Sequence, residues 1–230
     1  MHSSTTRHPT PQLEVIVQSC RIAADGKNLI GDLTIPAAAT GVVIFAHGSG
    51  SSRHSPRNRM VADMLHSAGA GTLCFDLLTP AEAEAEARDG HLRFNIGLLA
   101  RRLVQTTRWL RQQLHAQQLS LGYFGASTGA GAALVAAAEL GPLIQAVVSR
   151  GGRPDLAGAA LARVTAPTLL IVGERDDVVQ RLNEAALELL RGERRLEVVA
   201  GATHLFEEPG TLQQVGLLAA AWFQRHLRSG

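Results

Sequence analysis

At 230 residues with 46% hydrophobic content, the chain can bury one substantial core but is short for two catalytic domains. A net charge of +2 over 22 basic and 20 acidic residues gives no broad positive field, and no aromatic-plus-basic module accompanies it, which argues against nucleic acid as a partner. Two cysteines, Cys20 and Cys74, are too few for a disulfide-stapled secreted scaffold and match no metal-ligand spacing, and no apolar run is long enough to cross a bilayer.

Residues 1–12 are polar and proline-punctuated, without the apolar region of a secretion signal, and read as a flexible tail ahead of one domain spanning 13–230. With reduced thiols and no export signal, the expected location is cytoplasmic. Strands are predicted at 13–19 and 28–36 with no helix between them, so an antiparallel hairpin or meander opens the fold. The apolar run GVVIFAHG (41–48) is a buried strand leading into SGSSRHSPRN, and GTLCFD (71–76) is another. AEAEAEARDG (81–90) is rich in helix formers and charge, and reads as a solvated surface helix.

The segment 95–117 repeats Leu99, Leu103, Leu110 and Leu114 along one helical stripe. Strands follow at 119–125, 145–152, 167–173 and 196–201, and a last helix begins near Thr211 with Leu212, Val215, Leu218 and Trp222 on one side. Strands alternating with helices predict an α/β fold: a mostly parallel sheet of about eight strands, covered by helices on both faces. Only about sixteen residues, RPDLAGAALARVTAPT, separate the strands at 145–152 and 167–173, which leaves little or no room for a cap domain.

Within GYFGASTGAG (122–131), Ser127 stands between Gly125 and Gly129 where a strand gives way to an alanine-rich helix. A phosphate-cradling loop would need a lysine after Gly131, and a dinucleotide fingerprint would need glycine where Leu134 stands. The strand-turn-helix context instead suits an exposed nucleophile on a sharp elbow. Serine is a weak nucleophile near neutral pH and requires a base that is itself oriented by a carboxylate. Asp176, three residues past Gly173, and His204, just past the last strand, both emerge at the carboxyl rim where Ser127 emerges. Asp177 remains an alternative acid by one residue of register.

The order Ser127, Asp176, His204, together with VVIFAHGSG, resembles the α/β-hydrolase superfamily over nearly the whole chain, and in particular its small dienelactone-hydrolase-like branch. The resemblance implies a serine hydrolase that cleaves a carboxylic ester or lactone of a small molecule through an acyl-enzyme, without cofactor or metal. It implies an oxyanion hole formed by the amides of Ser49 and Thr128, with His47 shaping that loop and Asp76 a structural carboxylate. Serine stands where dienelactone hydrolases carry cysteine, so lactone specificity does not transfer with the fold. Acyl transfer through the same residues, or a binding module without turnover, are the alternative functions. Family members with a very similar HGSGSSRHSPRN segment joined to a phosphoribosyltransferase-like domain imply a nucleotide-related or phosphorylated setting.

Arg53, Arg57, Arg150 and Arg153 gather in the same rim loops. Facing the cleft, they would bind an anionic substrate; paired with Asp76, Asp89 or Asp155, they would hold loops together. Trp222 and Phe223 suit either the core or a dimer face, which leaves monomer and homodimer both open.

Overall fold

The computed structural model describes residues 16–114 and 119–227; the tail expected at 1–12 lies outside them, as do the last residues of the helix expected at 95–117. The chain opens with β1 (Ile16–Ala24) and β2 (Lys27–Ile35), paired antiparallel around Asp25 and Gly26, both at positive φ as a tight two-residue hairpin requires. β1 runs five residues past the end expected from sequence. Arg21 and Ala23 face outward there while Cys20, Ile22 and Ala24 turn inward, so the charge falls on the exposed face without breaking the alternation.

The βα alternation then runs through β3 (Gly41–Ala46), α1 (Pro56–Ser67), β4 (Gly71–Phe75), α2 (Pro80–Asp89), α3 (Ile96–Gln113), β5 (Ser120–Ala126) and α4 (Thr128–Leu140). It ends with β6 (Ile144–Arg150), β7 (Thr168–Gly173), α5 (Asp177–Leu189), β8 (Arg194–Val199) and α6 (Thr211–His226). These strands form one open sheet of eight among the described residues, ordered β1-β2-β4-β3-β5-β6-β7-β8, parallel from β4 onward. Short 3-10 turns from Pro154 to Arg163 fill the β6–β7 connection in place of a cap.

Register decides where the chemistry can lie. Ala46 pairs with Gly125, Ala126 with Arg150, and Gly173 with Val199, so five parallel strands end at one rim. One apolar core, with Leu103, Tyr123, Leu134 and Ala186, lies under α3, α4 and α5. The other, with Val61, Phe124, Val148 and Phe223, lies under α1 and α6. Trp222 and Phe223 are buried here, which makes them core residues.

The helix at 81–90 is the surface helix expected of it, mostly exposed, but two of its glutamates turn inward. Thr79 caps α2 in a capping box with Glu82, whose carboxylate also takes two 2.7 Å bonds from the buried Arg102. Glu86 is 4% exposed and receives the amides of Leu92 and Arg93 at 2.6 and 3.1 Å. Two glutamates in an alternating Ala-Glu run therefore bind inward, because buried donors on the neighbouring segments need acceptors.

Candidate active site

Ser127 closes β5 and starts α4 at φ 50° and ψ −122°, a strained conformation for a residue with a side chain. The flanking glycines make that turn possible. A Cβ on Gly125 would lie 2.4 Å from Ala130 Cα, and one on Gly129 would lie 2.2 Å from the Ala46 carbonyl oxygen. The Ser127 amide donates to the Arg150 carbonyl at 3.2 Å, and its own carbonyl accepts the amides of Ala130 and Arg153, both at 3.1 Å. The elbow is thereby tied to the end of β6, while the hydroxyl remains on a half-buried residue at the rim.

Past β8, the loop carrying His204 is held by two carboxylates. Glu174 accepts the amide of Gly201 at 2.7 Å, and Glu208 accepts that of Thr203 at 3.1 Å; the Thr203 side chain first, and its amide second, lower the pKa of the Glu208 carboxyl from its ordinary value. Phe206 is buried at φ 56°, a second strained non-glycine residue in the rim loops. His204 Nδ1 lies 2.6 Å from Asp176 Oδ2, with Asp176 largely shielded and the imidazole partly open to solvent. Asp177 instead begins α5 and is exposed, so the imidazole faces the first aspartate of the doublet. A Cβ on Gly151 would sit 3.5 Å from His204 Nδ1. The imidazole therefore stands over the residue that follows Arg150, whose carbonyl holds Ser127.

The loop after β3 approaches the elbow from the other side. A Cβ on Gly48 would lie 3.0 Å from Ser127 Cβ, and Ser49 Oγ lies 3.1 Å from Thr128 Oγ1. Thr128 is the first residue of α4, where a backbone N–H has no intrahelical acceptor and points out of the helix. His47 is buried, which holds its pKa low and the ring neutral; Nδ1–H donates to the Gly48 carbonyl at 2.9 Å and Nε2 accepts the Leu77 amide at 3.0 Å. These two bonds fix the loop, the structural part expected for His47.

Between that loop and α2 opens a cavity of about 340 Å³ with mainly apolar walls, among them Leu77, Leu78, Ala83, Ala87 and Leu99. Ser49 and Thr128, the residue after Ser127, are also part of its lining. α2 thus forms one wall of this cavity at the rim.

The four arginines divide. Arg53 bonds Asp76 through its side chain and through its backbone amide at 2.8 Å, and also approaches Asp32 at 3.4 Å. Arg153 forms a fork on Asp155 at 2.8 and 2.7 Å. Both arrangements tie loops together. Arg57 reaches Glu207 at 3.0 Å, near the His204 loop. Arg150 is buried, and no carboxylate bonds its guanidinium among the described residues.

Sequence reading missed the residues that brace the rim. Asn183, fully buried in α5, donates to the Gly152 carbonyl at 2.9 Å, and Glu174 and Glu208 clamp the histidine loop. Their sequence signal is indistinguishable from ordinary helix and turn polarity. Both cysteines are free thiols pushed up by burial, Cys20 to about 11 and Cys74 to about 12, so neither competes with serine as a nucleophile. Among the described residues, no group of three His, Cys, Asp or Glu side chains converges where a metal ion could be held, and no helix is long and apolar enough to cross a membrane.

No protein-family model matches the chain. A dienelactone hydrolase from Anabaena variabilis superposes with a TM-score of 0.90 at 56% identity, over 93% of this chain and 99% of that one. Est1E from Butyrivibrio proteoclasticus superposes with a TM-score of 0.73 at 15% identity, over 90% of this chain and 98% of that one, a likeness of fold alone. Two curated proteins of Mycobacterium tuberculosis, provisionally named phosphoribosyl transferases, are 57% identical over 210 residues, 91% of this chain and 46% of theirs. The chain spans a little under half the length of these curated relatives.

Proposed function

The chain belongs to the dienelactone-hydrolase-like branch of the α/β-hydrolases, and from that premise we propose that it is a serine hydrolase cleaving a small carboxylic ester or lactone. The observation that carries this reading is the 2.6 Å bond between Asp176 and His204 at the rim where the Ser127 elbow emerges. His204 accepts the Ser127 proton as the hydroxyl oxygen attacks the carbonyl carbon, and Asp176 holds the ring and stabilises its charged form. The amides of Ser49 and Thr128 receive the negative oxygen of the tetrahedral intermediate; donors of this kind are each worth about 3 kcal/mol of barrier. Collapse breaks the bond to the alkoxide, which takes the proton from His204 and departs. Water then gives its proton to the same imidazole and attacks the acyl-enzyme, and His204 returns that proton to the Ser127 oxygen as the acid is released.

The apolar cavity beside Thr128 suits a compact acyl or alkyl group. Acyl transfer would differ only in the acceptor that replaces water. The name carried by the Mycobacterium relatives belongs to chains about twice as long, and we assign none of that chemistry to these residues. A fluorophosphonate probe tests the reading: wild type is labelled and Ser127→Ala is not. Folded wild type that takes no label would leave a binding module as the better account.

A further inference from the structure

β8 ends the sheet on one side, and no strand pairs with its outer edge among the described residues. Its backbone groups alternate in direction. The Glu193 carbonyl accepts the Thr168 amide at 2.8 Å and the Val199 carbonyl accepts the Glu174 amide at 3.0 Å, so residues 193, 195, 197 and 199 turn towards β7. Arg194, Leu196 and Val198 therefore direct their N–H and C=O groups away from the sheet, as a row that another strand could join.

Charged side chains on an edge strand ordinarily discourage such pairing. Here their order favours it for one partner. Arg195 and Glu197 stand two residues apart, share a face of the sheet and form an ion pair along the strand. A twofold axis through Leu196 lays a second β8 antiparallel to the first, which sets Arg195 opposite Glu197 of the second copy and Glu197 opposite its Arg195. Both meetings fall at positions without ladder hydrogen bonds, where Cα atoms approach to about 4.5 Å and side chains come closest.

The outward backbone groups match in the same register. Leu196 exchanges both of its bonds with Leu196 of the second copy, and Arg194 exchanges its own with Val198. Val198, 42% exposed, then lies opposite the aliphatic stem of that arginine. Centring the axis on Arg194, Arg195 or Glu197 would instead set like charges face to face. β1, the other edge, carries Arg21 as its one charge, so no twofold pairing of that strand brings opposite charges together.

We propose that the β8 edge is a self-association surface, on which a second copy of this chain doubles the eight-stranded sheet across a twofold axis at Leu196. The same patch serves both copies, so the contact closes at two chains. Because the two sheets run antiparallel, their carboxyl rims point in opposite directions, and so do the two candidate active sites. The proposal does not depend on the hydrolase reading.

Sedimentation velocity over a concentration series reads the association directly. Wild type is expected to move from the mass of one chain towards that of two. Arg195→Glu and Glu197→Arg each turn both cross-strand pairs into like pairs, and each should weaken the Kd at least about tenfold. Mixed in equal amounts, the two variants again place opposite charges face to face and should form a one-to-one dimer of near wild-type strength. Leu196→Pro removes an outward donor while leaving the bonds to β7 in place, and is expected to stay monomeric; should circular dichroism show it unfolded, the charge variants decide. Wild type that remains monomeric throughout, charge variants that dimerise as tightly as wild type, or a folded Leu196→Pro chain that still dimerises overturns the surface. Variants that are weakened singly but not restored by mixing overturn the register at Leu196.

Discussion

Asp176 and Asp177 are neighbours of the same chemistry, yet one faces the imidazole and the other solvent at the start of α5. Asp176→Asn is expected to lower kcat by roughly 10⁴ through loss of the tautomer-setting carboxylate, while Asp177→Asn stays near wild type; steady-state kinetics on a neutral ester distinguishes them, and the reverse ranking would move the acid by one residue. The elbow is equally specific at Gly129. A methyl group there would meet the Ala46 carbonyl at 2.2 Å, so Gly129→Ala should destabilise by about 3 kcal/mol or more in chemical denaturation. Residue identities at the site could be read from sequence because the elbow, the carboxylate and the imidazole each follow a strand. The partners of the arginines could not, since a charge in a loop carries no signal of whether a carboxylate elsewhere in the fold reaches it.

α2 decides how wide the site is. Ala83 and Ala87, one turn apart, line the cavity beside Leu99. Ala83→Phe should fill part of that space, lowering kcat/KM for esters with bulky acyl groups about tenfold or more while acetyl esters are affected far less. Equal loss on both would show that the cavity does not receive the acyl group. The helix and its exposed face were legible in AEAEAEARDG, but the inward contacts were not: an alternating pattern of alanine and glutamate hides which glutamates meet Arg102 and Arg93. The strands were legible to within a few residues, since parallel strands buried on both faces appear as short continuous apolar runs. β1 was the exception, because its alternating face carries Arg21.

At the scale of the molecule, Arg102 joins α3 to the cavity wall. It is 1% exposed, donates to the Leu77 carbonyl at 2.8 Å and forks onto Glu82, whose carboxyl its hydrogen bonds hold down at about 2. Because the folded value lies below the ordinary 4.5, this contribution is complete above that pH and is lost as pH falls towards 2. Glu82→Gln leaves the buried guanidinium with only the longer 3.9 Å approach of Asp25 as a counterion and should cost roughly 3 kcal/mol at neutral pH, and the Tm gap to wild type should narrow as the solution is acidified; a constant gap would remove the ion pair as its cause.

The measurement that bears most directly on the account is rapid-quench peptide mass spectrometry during turnover of an activated ester. It predicts an acyl group on the peptide containing Ser127, accumulating before steady state and absent in Ser127→Ala. Ester cleavage that proceeds with no acylated serine, and at an undiminished rate in Ser127→Ala, would contradict it.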